Sequence, residues 1–331
     1  EVEHISLAKA ADVFAVVPAT ANILGKYAHG VADDMLSTTL LATRAPVLFA
    51  PAMNTAMYEH PAVQENITTL KRRGCLFVEP ASGHLACGDT GKGKLADVEK
   101  IEQAILDALT EKDMQGMHVT VTAGPTREAM DPVRFLSNHS TGKMGYAIAR
   151  SAKMRGAEVT LISGPVALEP LDGVRMIPVT SACDMREAVM QALPQSDLVI
   201  KAAAVGDYRP ATFQDDKIKK HDDDMSVSLV RNPDILAEIG EKRRDDQVIC
   251  GFSMETRDLL ENSTKKLQKK NCDVIVANNL KVKGAGFAGD TNVVTLLYRN
   301  GKVEPLELME KDSVADILLE RLVALYRDKN A

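Results

Sequence analysis

The sequence contains no tryptophan, and aromatic residues make up only 4% of its 331 positions. Its five cysteines are widely spaced and form no CxxC pair, so they suggest neither a disulfide framework nor a zinc site. No uninterrupted apolar run approaches the roughly 20 residues that a membrane span needs. A formal net charge of −6 argues against broad nucleic-acid binding. These absences favour a globular protein of the reducing cytoplasm, without a membrane or nucleic-acid partner.

The length of the chain favours two domains, because single hydrophobic cores stop growing at roughly 250 to 300 residues. Short apolar strands alternate with helical patterns in both halves, which is typical of parallel sheets covered by helices. The polar stretch 110–116 is predicted to be a linker. We therefore expect one domain at 1–112 and a second at 116–331.

The periodicity predicts individual elements in both halves. In the first half, strands are expected at 13–17, 47–50 and 76–78, and helices at 21–30, 34–43, 62–73 and 97–109. In the second half, strands are expected at 119–122, 158–162, 198–202, 248–252 and 274–277, and helices at 142–155, 185–193, 234–242 and 259–269. A hairpin at 290–298 and 302–306 and a helix at 314–326 follow. The second half is expected to be a doubly wound α/β domain.

The glycines that open the helix at 142–155 could hold a phosphate on backbone amides. A dinucleotide site is nevertheless not expected, because about eighteen residues separate Gly124 from Gly142, whereas the dinucleotide turn follows its strand at once. The next strand ends in Ser163-Gly164-Pro165, which offers no carboxylate to the ribose. The pattern predicts a nucleotide site of another kind.

Several phrases of the second half resemble the phosphopantothenate–cysteine ligase family. They are TAGPTRE at 122–128, DPVR at 131–134, SNHSTG at 137–142, AAAVGDY at 202–208, KIKK at 217–220, NPDI at 232–235 and GF at 251–252. The resemblance implies a Rossmann-like ligase that activates the carboxylate of 4′-phosphopantothenate with CTP. Pyrophosphate leaves, and L-cysteine then displaces CMP from the acyl cytidylate. Such chemistry needs positioning and charge neutralisation.

The resemblance also assigns roles to ligase residues. Asn138 is implied in conversion of the intermediate, and Lys217 in contact with the triphosphate. The CTP site is implied to comprise Lys201, Ala202, Ala203, Asp207, Lys217, Pro233, Asp234, Ile235, Leu236, Phe252, Lys266 and Lys270. Simpler explanations stay open: Lys217 lies in a charged loop, Asp234 can cap a helix, and Lys266 and Lys270 fit a solvated helix face. Mg²⁺ is expected to accompany the triphosphate, with ligands that the sequence does not reveal.

Three phrases of the first half look like the flavin-containing cysteine decarboxylases: PATAN at 18–22, PAMN at 51–54 and GHLACG at 83–88. The resemblance implies a flavodoxin-like domain that uses FMN to decarboxylate 4′-phosphopantothenoylcysteine to 4′-phosphopantetheine. It assigns catalysis to His4, Asn54 and Cys87. It assigns FMN contacts to Thr20, Asn22 and Met53. Taken singly, a histidine near a terminus is usually solvated, and a lone cysteine usually packs in a core.

Members of the decarboxylase family begin with a strand, a glycine-rich turn and a helix upstream of the histidine. The sequence starts close to His4, so the resemblance implies a partial, N-terminally truncated flavin domain. It further implies a homo-oligomer in which ligase domains pair and decarboxylase domains form trimer-based assemblies. The alternative is a non-catalytic regulatory or binding module, since similar flavin domains also occur as inhibitory partners of other proteins.

Overall fold

The computed structural model describes residues 2–84, 88, 90–219, 226–255, 259–279 and 289–331. The chain divides into two compact units, Glu1–Glu111 and Lys112–Ala331, called unit 1 and unit 2. Both have the α/β architecture with parallel sheets that the sequence predicts, so the predicted fold class is confirmed. No helix among the described residues has the length and apolarity that crossing a membrane requires.

Unit 1 is built on a parallel sheet with the order β1-β2-β3. Its strands are β1 (Phe14–Ala19), β2 (Val47–Pro51) and β3 (Leu76–Phe77), followed by the antiparallel pair β4 (Ala81–His84) and β5 (Thr90–Lys94). Its helices are α1 (Glu3–Ala10), α2 (Ala21–His29), α3 (Met35–Ala42), α4 (Thr55–Glu59), α5 (Pro61–Arg72) and α6 (Val98–Leu109). The sequence predicted the parallel strands but neither α1 nor the β4–β5 pair.

The central strand β2 is buried along its whole length, as expected of a parallel strand covered on both faces. Phe49 points into a core with Leu24 and Leu70 from α2 and α5. Its neighbour Leu48 points to the opposite face, where Ile101 of α6 packs. Alternation along one strand therefore places helices on both sides of the sheet.

Unit 2 contains an eight-stranded sheet with the order β10-β9-β6-β11-β14-β15-β17-β18. Its strands are β6 (His118–Ala123), β9 (Glu158–Ser163), β10 (Arg175–Pro178), β11 (Leu198–Lys201), β14 (Val248–Glu255), β15 (Val274–Asn279), β17 (Val294–Tyr298) and β18 (Val303–Pro305). The first six are parallel and β17 and β18 are antiparallel. In chain order the parallel strands run 3-2-1-4-5-6, the doubly wound arrangement of Rossmann-like domains.

Helices cover both faces of this sheet, and three small ribbons project from it. The helices are α7 (Lys143–Met154), α8 (Ala182–Ala192), α9 (Ile235–Lys242), α10 (Leu259–Lys269) and α11 (Lys311–Lys329), with a 3-10 turn at Leu193–Gln195. The ribbons are β7 (Arg127–Ala129) with β8 (Phe135–Ser137), β12 (Tyr208–Pro210) with β13 (Leu229–Arg231), and β16 (Thr291–Asn292) with β19 (Met309–Glu310). Core residues of α7 and α11 lie on one face, and those of α8 and α9 on the other.

Three predicted elements need correction. The hairpin predicted at 290–298 and 302–306 forms only from β17 and β18, because Thr291 and Asn292 pair with β19 instead. The last helix begins at Lys311, three residues before the predicted start. The stretch 110–116 was predicted to be a linker, but two of its residues, Asp113 and Met114, pack into unit 2. Met114 is fully buried, and Asp113 lies 2.6 Å from the guanidinium of Arg155. Polar composition could not reveal these long-range contacts.

Candidate active sites

The sheet of unit 2 reverses its strand order between β6 and β11. The chain continues from β6 to β9 and β10 on one side, and then crosses to β11, β14 and β15 on the other. Loops that leave such neighbours diverge and open a crevice at the carboxyl ends of the strands. The amide of Ala204 donates to the carbonyl of Gly124 over 2.9 Å, which fixes the two loops against each other. Candidate site residues are therefore expected at this edge.

Helix α7 begins at the crevice. Its N-cap Gly142 has a φ of 80°, a conformation that glycine adopts without strain. A Cβ atom added at Gly145 would lie 2.6 Å from the Cβ of Ala123, so the helix packs directly on the end of β6. The amides of the first helical turn are thus held at the crevice.

A first cavity of about 410 Å³, called cavity 1, lies at the start of α7. Four lysines contribute to its wall: Lys143, Lys201, Lys266 and Lys311. Asn138 also lines it, and its side-chain amide donates to the carbonyl of Ala204 over 3.0 Å. A cavity with four amines and a helix N-terminus suits a ligand of high negative charge.

A second cavity of about 390 Å³, called cavity 2, shares Lys201, Asp207, Phe252 and Lys266 with cavity 1. Lys266 and Lys270, one turn apart on α10, both lie on its wall. Of the residues that the resemblance assigned to CTP, cavity 2 brings together Lys201, Asp207, Pro233, Asp234, Ile235, Leu236, Phe252, Lys266 and Lys270, and cavity 1 adds Ala202 and Ala203.

The charged residues on the walls of the two cavities differ in their partners. Asp234 caps α9 by accepting from the amide of Ala237 over 3.1 Å, and it also forms an ion pair with Lys270. Burial and the nearby ammonium group of Lys266 lower the pKa of Lys201 to about 8, although the carboxylate of Asp207 acts in the opposite direction. The amine of Lys201, at the junction of the two cavities, is therefore partly deprotonated in mildly alkaline solution.

Lys217 stands apart from the other assigned residues, because it is exposed and lies on the wall of neither cavity. Its neighbour Ile218 is fixed by Asp131, whose carboxylate accepts from the Ile218 amide over 3.1 Å. Arg134 donates to the same carboxylate over 2.7 Å and to the carbonyl of Ile218 over 2.7 Å. The segment that follows, including Lys220, lies outside the described residues. The geometry thus fixes the base of the Lys217 segment and leaves its side chain in solvent.

In unit 1, the loops after β1 and β2 lie side by side. The amide of Ala52 donates to the carbonyl of Ala19 over 3.0 Å, which holds the two loops together. Thr20 and Asn22 come after β1, and Met53 and Asn54 come after the neighbouring strand β2. Thr20 and Asn22 are exposed, whereas Met53 and Asn54 are half-buried. Asn54 caps α4 through the amide of Ala56 at 2.8 Å. The four assigned positions therefore share one edge of the sheet.

The β4–β5 ribbon closes against this edge. A Cβ atom at Gly93 would lie 2.3 Å from the carbonyl oxygen of Met53, so the two backbones touch. Beside them, the Thr55 hydroxyl is buried without a hydrogen-bond partner among the described residues. His4 is half-buried on α1, which packs against α3. Cys87 lies outside the described residues.

Several residues on the wall of cavity 1 were missed by the sequence analysis. Lys143 directly follows the recognised Gly142, so its position could have been noted. Asn278, Asn292 and Lys311 lie far along the chain from any of the recognised phrases, and no local signal marks them. Within the described ranges, no group of three or more His, Cys, Asp or Glu side chains is placed to hold a metal ion.

Comparison with known families matches both units. A family model described as flavoprotein matches residues 1–110, and one described as DNA/pantothenate metabolism flavoprotein C-terminal domain matches residues 114–326. Together with the two α/β units and the lysine-lined crevice of unit 2, these matches define a two-domain flavoprotein of pantothenate metabolism.

Curated relatives extend along nearly the whole chain. The coenzyme A biosynthesis bifunctional protein CoaBC of Bacillus subtilis (strain 168) is 51% identical over 98% of this chain and 81% of its own length. A cysteine/cysteine sulfinic acid decarboxylase of an unknown prokaryotic organism is 43% identical over 97% of this chain and 91% of its own. The crystal structure of the C-terminal domain of a CoaBC protein has 43% identity and a TM-score of 0.57, covering 66% of this chain and 100% of that domain.

The chain belongs to the family of bifunctional coenzyme A biosynthesis proteins. It is an enzyme of coenzyme A biosynthesis that joins a flavin-dependent decarboxylase domain to a ligase domain.

Proposed function

We propose that residues 116–331 join 4′-phosphopantothenate to L-cysteine at the expense of CTP, and that residues 1–112 form the FMN-dependent domain that decarboxylates the product. In the first ligase step, a carboxylate oxygen attacks the α-phosphorus of CTP and pyrophosphate leaves. In the second, the amine of cysteine attacks the acyl carbon and CMP leaves. The observation that carries the ligase proposal is the pair of lysine-lined cavities that meet at Lys201.

The residues that line the two cavities support a model in which the nucleoside occupies cavity 2 and the phosphates occupy cavity 1. Cavity 2 offers the carboxylate of Asp207, the ring of Phe252 and the start of α9, which suit hydrogen bonding and stacking to a nucleoside. Cavity 1 offers amines and the α7 amides, which suit phosphates. The α-phosphorus would then lie near Lys201 and Lys266, where the cavities join. Neutralising charge at that point stabilises the transition state for phosphoryl attack.

Asn138 is proposed to act in the second step. Its amide lies on the wall of cavity 1 and donates to a backbone carbonyl, from which it can turn to a substrate carbonyl. Lys217 is proposed to reach the triphosphate when the nucleotide is bound, because its segment is anchored by Asp131 while its side chain is free to extend. Mg²⁺ would be held mainly by phosphates and water and would screen their charge.

The FMN proposal has support from the edge of unit 1 where β1 and β2 end. Thr20, Asn22 and Met53, which follow these two strands, are proposed to contact the flavin. The Thr55 hydroxyl nearby has no hydrogen-bond partner among the described residues and can accept or donate a hydrogen bond. FMN, when bound, would supply two-electron oxidation and reduction. Asn54 would hold the substrate carboxylate through its amide, His4 would accept a proton, and the Cys87 thiol would donate one.

We also propose that the protein is a cytoplasmic homo-oligomer, with paired ligase domains and trimer-based decarboxylase domains. The four cysteines that the structure describes are unpaired, which fits a reducing compartment. Strands β8 and β13 expose every residue, including Phe135, Leu136, Leu229 and Val230. Projecting apolar ribbons of this kind fit a subunit interface.

The proposed function is tested by incubating the full chain with CTP, 4′-phosphopantothenate and Mg²⁺, with and without cysteine, while pyrophosphate and CO₂ are measured together. We expect pyrophosphate release that depends on 4′-phosphopantothenate and continues to turn over with cysteine. CO₂ release that requires cysteine and FMN would support the decarboxylase. Folded protein that releases no pyrophosphate would exclude the ligase proposal.

A further inference from the structure

A third cavity of unit 2, called cavity 3, lies at the opposite end of the large sheet from the crevice. Its volume is about 210 Å³, and its wall includes His118, Glu158 and Arg175, the first residues of β6, β9 and β10. These strands are parallel, so their starts lie away from the carboxyl ends where the crevice opens. Among the described residues, none lines both cavity 3 and one of the other two cavities.

The floor of cavity 3 is a row of polar residues on a covered face of the sheet. Thr120 of β6 pairs in register with Thr160 of β9, which pairs with Arg175 of β10, so the three side chains point to one face. Two residues further along, the same face carries Ile162 and Ile177, which pack in the core beneath α8. Covered faces of parallel sheets are normally apolar, so a polar row at this place requires an explanation.

The protein itself supplies hydrogen bonds to one end of this row. The Thr120 hydroxyl lies 2.7 Å from that of Ser196, which in turn donates to the carbonyl of Ala192 over 2.9 Å. Thr160 and Arg175, by contrast, make no side-chain hydrogen bond or ion pair with the residues that the structure describes. A hydroxyl and a guanidinium group on the wall of cavity 3 are thus available to a ligand.

Cavity 3 also carries charges of both signs. Glu158 lies two residues before Thr160 on β9, which makes it a diagonal neighbour of Arg175 on the same face. Its carboxylate lies 3.2 Å from Nε2 of His118, and no ion pair joins it to Arg175 within the described part of the chain. Opposite charges that are held apart across a small cavity match a zwitterion, because each end of the ligand finds a charged hydrogen-bonding partner.

We propose that cavity 3 binds a small α-amino acid. The carboxylate of the ligand accepts from the guanidinium of Arg175 and the hydroxyl of Thr160, and its ammonium group donates to the carboxylate of Glu158. Its side chain lies beneath Ala188 and Ala192 of α8, where a cavity of about 210 Å³ suits a short side chain. This site is separate from the ligase crevice, and its existence does not depend on the proposed function.

Helix α8, which covers cavity 3, also contacts the loops of the crevice. The amide of its first residue, Ala182, donates to the buried carboxylate of Glu128 over 2.9 Å. The amide of Arg127 donates to the carbonyl of Thr180, just before the helix, over 2.8 Å. An amino acid that holds the far end of α8 therefore favours one position of the loop between β6 and β7. We infer that the ligand is an effector of CTP binding, and this part of the inference rests on the proposed function.

Calorimetry with the full chain tests the site directly. The probes are glycine, L-alanine, L-serine, L-threonine and L-valine; L-cysteine is omitted because it is a substrate of the proposed ligase. We expect at least one probe to bind, and its amide and N-acetyl derivatives, which each lack one charge, to bind about tenfold more weakly. Arg175→Gln and Glu158→Gln should weaken binding similarly. Arg44→Gln, at an exposed arginine that lines none of the three cavities, is the matched control.

A variant that fills the cavity provides a second test. Ala192→Leu adds carbon atoms from α8 and should abolish binding while the protein still melts cooperatively. If this variant does not fold, Arg175→Gln decides, because that side chain is exposed on the edge strand β10. Failure of all five probes to bind, or undiminished binding to Arg175→Gln, would overturn the site.

The effect on the crevice is measured as the affinity for CTP with and without the bound amino acid. We expect this affinity to change by about fivefold in the wild type and to stay constant in Arg175→Gln. An unchanged affinity in the wild type would overturn the coupling through α8 and leave the site itself standing. If the amino acid binds but CTP does not bind under either condition, the proposed function fails and the site stands.

Discussion

Lys201 is one of the residues that line both cavities, and its pKa of about 8 makes its charge sensitive to pH. If its ammonium group neutralises a nucleotide phosphate, kcat/KM for CTP should fall as the pH rises through about 8, because the free enzyme then carries a neutral amine. The groups that face it are Lys266, Lys270, Asp207 and Cys272. Lys201→Arg should keep the charge and move this decline to higher pH. The measurement is a pH profile of pyrophosphate release.

Lys201→Met, which removes the charge, is compared with Lys201→Arg, which keeps it. Loss of a charge-assisted contact should lower kcat/KM for CTP at neutral pH by about tenfold or more. The folded pKa lies below the ordinary lysine value of 10.5, so the protein bears a cost for holding the ammonium group that is relieved as the pH rises from about 8. Lys201→Met should therefore melt no lower than the wild type. An unchanged alkaline decline in Lys201→Arg would contradict the proposed role.

Asp131 determines where the Lys217 segment begins. Burial raises the pKa of this carboxyl, but hydrogen bonds from Arg134 and from the amides of Val133 and Ile218 outweigh it and hold the pKa below its usual range. The resulting stabilisation is present above the ordinary carboxyl pKa of about 4 and is lost on further acidification. Asp131→Asn should release Ile218 and slow pyrophosphate formation in the absence of cysteine, as Lys217→Gln should.

A double-variant comparison separates this positioning role from general destabilisation. If Asp131 acts through Lys217, the double variant should be about as slow as Lys217→Gln alone, because the same contribution is lost once. Multiplicative losses would show that the two residues act independently. Melting temperatures for all three variants are measured alongside the rates.

At the scale of elements, the position of α7 depends on the absence of a side chain at Gly145. An alanine Cβ would meet Ala123 at 2.6 Å and the Thr122 carbonyl at 3.0 Å, so the helix would have to move away from β6. We expect Gly145→Ala to lower the free energy of unfolding by about 1–3 kcal/mol and to weaken CTP binding. Gly25→Ala in α2 is the matched control, because its nearest neighbour would be at an ordinary 3.6 Å. The measurements are urea unfolding and calorimetry.

The β12–β13 ribbon offers a test of ligase pairing. Both Leu229 and Val230 are exposed on β13, and a lysine at Val230 should place charge in the proposed subunit interface. Val230→Lys should lower the oligomeric mass measured by light scattering. The dissociated variant should remain folded, which a cooperative melting transition would show. Val303→Lys, on the exposed edge strand β18, is the control that should leave the mass unchanged. An unaltered mass for Val230→Lys would exclude this ribbon from the interface.

At the scale of the whole molecule, unit 2 includes residues that polar composition assigned to a linker. A fragment 112–331 retains Met114 and the ion pair between Asp113 and Arg155, whereas a fragment 116–331 lacks them. Because Met114 is fully buried, its loss should reduce the free energy of unfolding by about 2–5 kcal/mol. Urea unfolding of the two fragments measures the difference. Equal stabilities would show that 110–116 behaves as a linker after all.

The sequence alone was enough to predict the α/β architecture. The buried strand β2 and residues 248–252 of β14 are continuous apolar runs between helical patterns, and both features are local properties of the chain. The glycine that opens α7 could likewise be recognised in the sequence, and the structure gives it a φ of 80°, which glycine adopts without strain. Short ribbons such as β7–β8 were missed, since strands of three residues are too short to show a periodicity.

Tertiary structure decided which side chains meet. The recognised phrases supplied Asn138 and Asp207. Lys311 and Asn278 reach cavity 1 only because the fold places the end of β15 and the start of α11 at the same edge as α7. Lys217, a recognised residue, lies on neither cavity wall. The physical reason is that periodicity records how each segment contacts its own neighbours, whereas the convergence of charge depends on crossovers between segments far apart in the chain.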